Sequence, residues 1–361
     1  MNSEWLNVPA MALNQDSRQQ AELRQTQLTK PPGALGDLES IAIQLAAMQG
    51  SESPRLDNIV ICVYASDHGV AAQGVSAFPQ AVTVEMIKNF SRGGAAINVL
   101  ARQLGASMEV VNLGTVNDPG PLENVINKHI AAGTADFSQQ VAMSEEQLYA
   151  ALNAGRQTAE RAAINKAQLF IGGEMGIANT CSAAAIACAL LGKEASVLTG
   201  PGTGLDQTGV SHKAEVISRA LEKHNLSADQ PLEILRCLGG FEIVALTGSY
   251  LSCAHTGIPV LVDGFISSVA ALLAVKICAG ARDWMLFSHA SAEPGHAHVL
   301  QALEAKPLLN LGMRLGEGSG AATAVPLLRL ACELHNGMAT FAEASVSEKI
   351  VSEKKVSEKN A

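Results

Sequence analysis

The sequence predicts an α/β protein organised around a parallel sheet, and three observations carry that prediction. Residues 58–65 (N-I-V-I-C-V-Y-A) form a nearly continuous apolar run, the pattern of a strand buried on both faces as parallel sheets require. From about residue 58 to 335 such runs alternate with stretches of helical spacing. Several runs end in glycine-rich turns that open helices, placing candidate ligand sites on loops at the carboxyl ends of the strands.

Taken in order, residues 3–50 read as helical segments broken by Lys30-Pro31-Pro32-Gly33-Ala34-Leu35-Gly36, which cannot continue a helix. The strand at 58–65 ends in Ser66-Asp67-His68-Gly69. Asp67 and His68 are either ligand contacts or an Asx-type turn with a hydrogen-bonded histidine. A loop at 74–80 leads to a helix at 81–90, and Arg92-Gly93-Gly94-Ala95-Ala96 opens another. Residues 107–114 form a second strand. After a polar helix from about Ser144, residues 168–172 form a third, running into Gly173-Glu174-Met175-Gly176 and the apolar helix 181–191. Residues 195–199 read as a fourth strand, followed by Gly200-Pro201-Gly202-Thr203-Gly204-Leu205-Asp206 with Lys213 beyond it. A glycine loop with a lysine and a threonine nearby suits a phosphate, although the Gly-Lys-Ser/Thr ending of a Walker loop is absent. The competing explanation is a surface turn with a solvated lysine.

Further strands are expected at 258–263, ending in Asp263-Gly264, and at 284–287, before Ser288-His289-Ala290-Ser291-Ala292-Glu293-Pro294-Gly295-His296-Ala297-His298. The i, i+2 spacing of His296 and His298 does not share a helical face, so these histidines are read as loop residues that contact substrate rather than as metal ligands. Residues 307–311 fit a buried strand and 321–335 a helix. Glu317, flanked by Gly316, Gly318 and Gly320, then sits at the turn between them. A carboxylate presented this way is a plausible base. Taken alone, the stretch is better read as a left-handed turn with a helix-capping acid, the simpler explanation. Residues 346–360 repeat V-S-E-K-x, are highly charged and are expected to be a disordered tail.

Composition narrows the function. The chain has 361 residues, 48% of them apolar and 16% charged, enough to bury a sizeable core. A net charge of -9, no basic cluster and only 4% aromatics argue against a nucleic-acid partner. An anionic small molecule must therefore be held by a local cradle. Seven scattered cysteines without C-x-x-C spacing read as buried thiols in a reducing compartment. The start M-N-S-E-W has no signal-peptide character, so a cytoplasmic protein is expected. The apolar run 265–281 contains Lys276 and begins after Asp263, so it is a helix covered by the sheet, not a membrane span.

The motifs K-P-P-G-A-L-G-D-L-E, S-D-H-G-V, G-V-S-A-F-P-Q, S-R-G-G-A-A-I-N, G-E-M-G-I-A-N-T, G-P-G-T-G, F-E-I-V-A-L-T-G, L-V-D-G-F-I-S, S-H-x-S-x-E-P-G-H and L-N-L-G-M-R-L-G-E-G-S-G-A occur in this order. Together they resemble the nicotinate-nucleotide:dimethylbenzimidazole phosphoribosyltransferases of cobalamin nucleotide-loop assembly. The resemblance covers about residues 30–347, departing at Ala34, where Ser is common, and Ala178, where Gly is common. It implies a Rossmann-like parallel sheet flanked by helices (58–329), with a smaller helical domain built from the N- and C-terminal segments (1–57 and 330–345). It also implies a homodimer and small-molecule substrates, nicotinate mononucleotide and a benzimidazole-type base. Neither a metal nor a cofactor is implied, because the donor nicotinate is already a pyridinium and leaves readily.

The resemblance overturns the simpler account of Glu317, which it makes the catalytic base. It places the nucleotide and its phosphate against Glu174, Gly176, Gly202, Thr203, Gly204, Lys213, Asp263, Gly264 and Ser291. The base would lie by Gln80, Met86, Lys88, Met175 and Leu315; for Met86 and Met175, ordinary core packing explains the residues equally well. Three other classes are weighed. A pyrophosphate-donor phosphoribosyltransferase would want adjacent acids ending a strand to bind ribose and magnesium, and Glu145-Glu146 instead opens a helix. Gly316-Glu317-Gly318-Ser319-Gly320-Ala321 fits the G-x-G-x-x-A of an NAD(P)-dependent oxidoreductase, but no acid-ended strand follows about 20 residues on. A non-catalytic nucleotide sensor would keep the phosphate loop without needing Glu317.

Overall fold

In the computed structural model, residues 3–347 are described. Six strands, β1 (Ile59–Ser66), β2 (Ser107–Gly114), β3 (Val125–Asn127), β4 (Leu169–Met175), β5 (Val260–Val262) and β6 (Met285–Phe287), form one sheet in the order β3-β2-β1-β4-β5-β6. Every pairing in it is parallel. This is the order of doubly wound nucleotide-binding sheets, in which the chain turns back between β1 and β4 and leaves a crevice at their carboxyl ends. All eight residues of β1 are buried, as its unbroken apolar run requires.

The helices cover both faces. Phe241–Thr256 is buried around almost its whole circumference and packs on Glu145–Ile164, where a β-carbon at Gly248 would lie 2.3 Å from the Leu152 carbonyl oxygen. A helix buried all round has no amphipathic stripe, and no helical pattern is legible there. Phe265–Ile277 is the covered apolar helix expected at 265–281, and among the described residues no helix is long and apolar enough to cross a membrane.

Three expectations are corrected. The strand expected at 195–199 is a helical turn, Ala195–Leu198: Ala195 and Leu198 are buried while Ser196 and Val197 between them are exposed. That i, i+3 pattern is helical, and a short apolar run cannot distinguish it from a strand. Residues 307–311 form no strand but one bridge, Leu309 to His289. β4 continues past Gly172 through Met175, so Glu174 and Met175 are strand residues. β3 has no counterpart among the expected strands, being three residues long and half-exposed at the sheet edge.

The chain divides into two compact units, the sheet unit (up to Leu13, and Leu56–Leu327) and a second made of Asn14–Arg55 with the chain from Leu328. The N-terminal segment belongs to the first, whereas the resemblance puts all of 1–57 in the helical domain. There the Met11 N–H donates to the Ala254 carbonyl (2.8 Å) and the Trp284 indole donates to the Met11 carbonyl (2.7 Å). In the second unit, helices Gln15–Gln27 and Asp37–Gln49 meet the end of helix Ser319–Gly337. Arg24 caps that end through the carbonyls of His335 (2.7 Å) and Asn336 (2.9 Å). Lys30 pairs with Glu39 at 2.9 Å and closes the proline-glycine turn between the two helices. Of the repeat tail, residues 348–361 lie outside the described residues.

Candidate active site

At the carboxyl edge of the sheet, the ends of β4 (Glu174, Met175, Gly176), β5 (Asp263, Gly264) and β6 (His289, Ser291) border a cleft of about 280 Å³. Gly202 and Thr203 line it from one loop, and Arg314, Leu315 and Gly316 from another. The sequence-predicted residues Glu174, Met175, Gly176, Gly202, Thr203, Asp263, Gly264, Ser291 and Leu315 are thus brought together.

Glu317 follows that second wall directly. It is 5% exposed, and its backbone is left-handed at φ +64°, a conformation that costs a residue with a β-carbon. Asp263 holds the turn: its Oδ2 accepts from Gly318 N–H (3.2 Å) and its Oδ1 from Ala321 N–H (2.8 Å). Both oxygens of the residue expected to help bind ribose are therefore engaged with the glutamate's turn. The Glu317 Oε2 accepts weakly from Ile97 N–H at 3.4 Å, at the start of helix Ala96–Leu104. Burial raises the Glu317 carboxyl above its ordinary value; the Ile97 contact opposes this, and the Asp263 charge adds to it. Glu174 is driven well above the carboxylate range, by burial first and then by Glu242 and Asp263, while its bond from Asn179 Nδ2 works the other way.

The glycine loop is held from behind. Lys213 is fully buried on helix Gln207–His224, and its ammonium donates to Thr180 Oγ1 (2.7 Å) and the Gly200 carbonyl (3.2 Å). It is therefore no solvated surface lysine, and burial lowers its proton affinity. Arg314, which the sequence reading does not single out, lines the cleft and donates to the Gly202 carbonyl at 2.9 Å.

A family model described as phosphoribosyltransferase matches residues 10–346. The chain is 59% identical to the nicotinate-nucleotide–dimethylbenzimidazole phosphoribosyltransferase of Pseudomonas putida KT2440, over 97% of this chain and 99% of that one. It is 58% identical to the protein of the same name from Pseudomonas aeruginosa PAO1, with the same coverage. The chain belongs to the nicotinate-nucleotide–dimethylbenzimidazole phosphoribosyltransferase family. Crystal structures agree: the enzyme of that name from Thermus thermophilus superposes with a TM-score of 0.88 at 43% identity, covering 93% of this chain and 100% of that one. CobT from the same organism gives 0.89 at 45% identity, covering 92% and 100%.

Within this phosphoribosyltransferase fold the other expected residues stand at varying distances from the cleft. Gly204 lies beyond its wall at φ +121°. Gln80, Met86 and Lys88 also lie off the wall and are half-buried, Gln80 at the N-cap of helix Ala81–Arg92 and the other two within it. That helix is tied to the cleft through Thr83 Oγ1, which accepts from Ile177 N–H at 3.1 Å, and Gln80 Nε2 donates to the His68 carbonyl at 3.0 Å. Asp67 and His68 are both buried and held by distant parts of the chain; the histidine is hydrogen-bonded as the structural alternative has it, but the Asp67 carboxylate forms no Asx turn. Asp67 Oδ2 accepts from Val116 N–H (2.9 Å), and the fully buried His68 pairs with Glu242 at 2.7 Å. His296 sits in helix Pro294–Ala302, its Nδ1 accepting from Ser291 N–H (2.8 Å) and its Nε2 bonded to Ser268 (2.9 Å). Among the described residues no three His, Cys, Asp or Glu side chains converge as metal ligands. The sequence reading does not single out Phe78, Thr180, Arg314 and Glu293 as parts of the cleft wall; the signal that could have found them is that each lies inside one of the glycine-bearing motifs quoted above.

Proposed function

We propose that this protein transfers the 5-phosphoribosyl group of nicotinate mononucleotide to 5,6-dimethylbenzimidazole, releasing nicotinate and giving α-ribazole 5'-phosphate for the lower ligand of cobalamin. One observation carries the chemistry: Glu317, a buried carboxyl of raised proton affinity, sits on a rigidly held turn beside a cleft whose other wall is a glycine loop. In this reaction the bond from the ribose anomeric carbon to the pyridinium nitrogen breaks with its electron pair going to nicotinate. The benzimidazole nitrogen forms the new bond, and its ring N–H proton passes to Glu317. Holding both rings on opposite faces of the ribose does much of the work, since the anomeric carbon passes through oxocarbenium character.

In this reading the loop carrying Gly202, Thr203 and Gly204 receives the phosphate, and Lys213 shapes that loop from below. Glu174, Gly176, Asp263, Gly264 and Ser291 border the nucleotide. The acceptor ring lies toward Met175, Leu315 and the helix bearing Gln80, Met86 and Lys88. The family resemblance adds that the protein acts as a cytoplasmic homodimer, for which light scattering would give a particle of two chains. An oxidoreductase is disfavoured because the G-x-G-x-x-A turn follows no strand of the sheet. Chromatographic measurement of nicotinate release with and without dimethylbenzimidazole tests the proposal. Acceptor-dependent release is expected; nucleotide binding without it would identify a sensor instead.

A further inference from the structure

The glycine loop already holds an anion of the protein's own. Glu293, 6% exposed at the cleft wall, reaches across 91 residues of chain so that its Oε1 accepts from Gly202 N–H at 3.0 Å. Its Oε2 is buried without a hydrogen-bond partner among the described residues. A β-carbon at Gly200 would stand 2.1 Å from that oxygen, so the loop backbone closes directly over the carboxylate. The Lys213 ammonium interacts electrostatically with the same group.

A buried carboxylate oxygen with no partner is costly, and a phosphate brought to the same loop meets both a repelling charge and an occupied amide. Two anions cannot share the single Gly202 N–H. The carboxylate satisfies that amide and balances the buried lysine, which keeps the loop formed.

We propose that Glu293 is a built-in competitor for the donor's phosphate, holding the Gly202 N–H and weakening the donor's binding. The inference rests on the reading of this loop as the phosphate site. Binding weakened in this way is useful to a transferase, because tight ground-state binding of the donor does not speed the chemical step.

The test compares Glu293→Gln with the wild type by calorimetry, using nicotinate mononucleotide, inorganic phosphate and nicotinate riboside, which lacks the phosphate. Glutamine still accepts from Gly202 N–H but carries no charge. The dissociation constants for nicotinate mononucleotide and inorganic phosphate should fall about fivefold, while that for the riboside stays within twofold. Unchanged or weaker binding of both phosphate-bearing probes overturns the inference, and so does equal tightening of all three. If the wild type itself binds nicotinate mononucleotide no better than the riboside, the phosphate site has been misplaced, which is a separate failure. A wild-type crystal soaked with inorganic phosphate tests the same point without a variant. The phosphate should displace the Glu293 carboxylate from Gly202 N–H, and a carboxylate still bonded there beside a bound phosphate would overturn it.

Discussion

Gly173 lies directly against the backbone of Glu317: a β-carbon at position 173 would stand 2.2 Å from the Glu317 carbonyl oxygen and 2.4 Å from its carbonyl carbon. Gly173 is locked in β4 opposite Val63 of β1, so the strand has no freedom to retreat. The glutamate's turn must move instead. Gly173→Ala is therefore expected to lower turnover at least tenfold and stability by about 1–3 kcal/mol, without altering any group that reacts. Steady-state kinetics with a urea melt checks this, and wild-type turnover in a folded variant would break the link between strand and turn.

Glu317→Gln keeps shape and removes the base. Turnover should drop roughly 10²- to 10⁴-fold while the affinity for nicotinate mononucleotide, read by calorimetry, stays near the wild-type value. Because burial raises the Glu317 carboxyl above its ordinary 4.5, the wild-type rate should fall on the acid side at a pH above that value, as the base takes up its proton. Residual activity of the variant should lack this limb. Near-normal turnover in the variant would remove Glu317 from the mechanism.

Burial lowers His296 from 6.5 to about 3, so in the native protein it is neutral near pH 7. Its neutral form suits its two bonds: Nδ1 accepts from Ser291 N–H, leaving Nε2 to donate to Ser268. A depressed folded value means that stability is fully present above the unfolded value and is lost as pH falls from about 6.5 toward 3. The slope contributed is up to about 1.4 kcal/mol per pH unit. In His296→Gln, denaturant melts between about pH 6.5 and 4 should show a correspondingly shallower decline; an unchanged slope would assign the acid sensitivity to other groups.

Ala178 caps helix Asn179–Leu191 in a left-handed conformation, φ +77° and ψ 4°. A residue with a β-carbon is strained there, whereas glycine adopts this conformation freely. Relief of the strain exceeds the added freedom of the unfolded chain, so Ala178→Gly should stabilise the protein by about 0.5–1 kcal/mol. A shift of the urea midpoint to higher concentration at constant slope is the expected result. A destabilised variant would mean that the alanine methyl contributes more by packing than it costs in strain.

The sequence by itself determined the strands whose burial is continuous and the turns whose backbone needs glycine. β1 was legible because a strand covered on both faces is apolar nearly throughout, β2 and β4 because each holds a short buried apolar run (Val110–Val111 with Leu113, and Leu169–Ile171), and the turn at Glu317 because three glycines flank one acid. The short edge strand β3, the helical turn at Ala195 and the fully buried helix Phe241–Thr256 were not legible, because each lacks the length or the periodicity that separates strand from helix. Only the tertiary structure decided what the polar residues do. That Asp263 grips the turn of Glu317, that Glu174 lies against Gly316, and that Glu293 occupies the amide of Gly202 follow from the strand order, which brings chain ends 55, 142 and 91 residues apart to one edge. Local spacing sets which face of an element is buried, whereas the partner of a buried charge is chosen by long-range packing that no local pattern encodes.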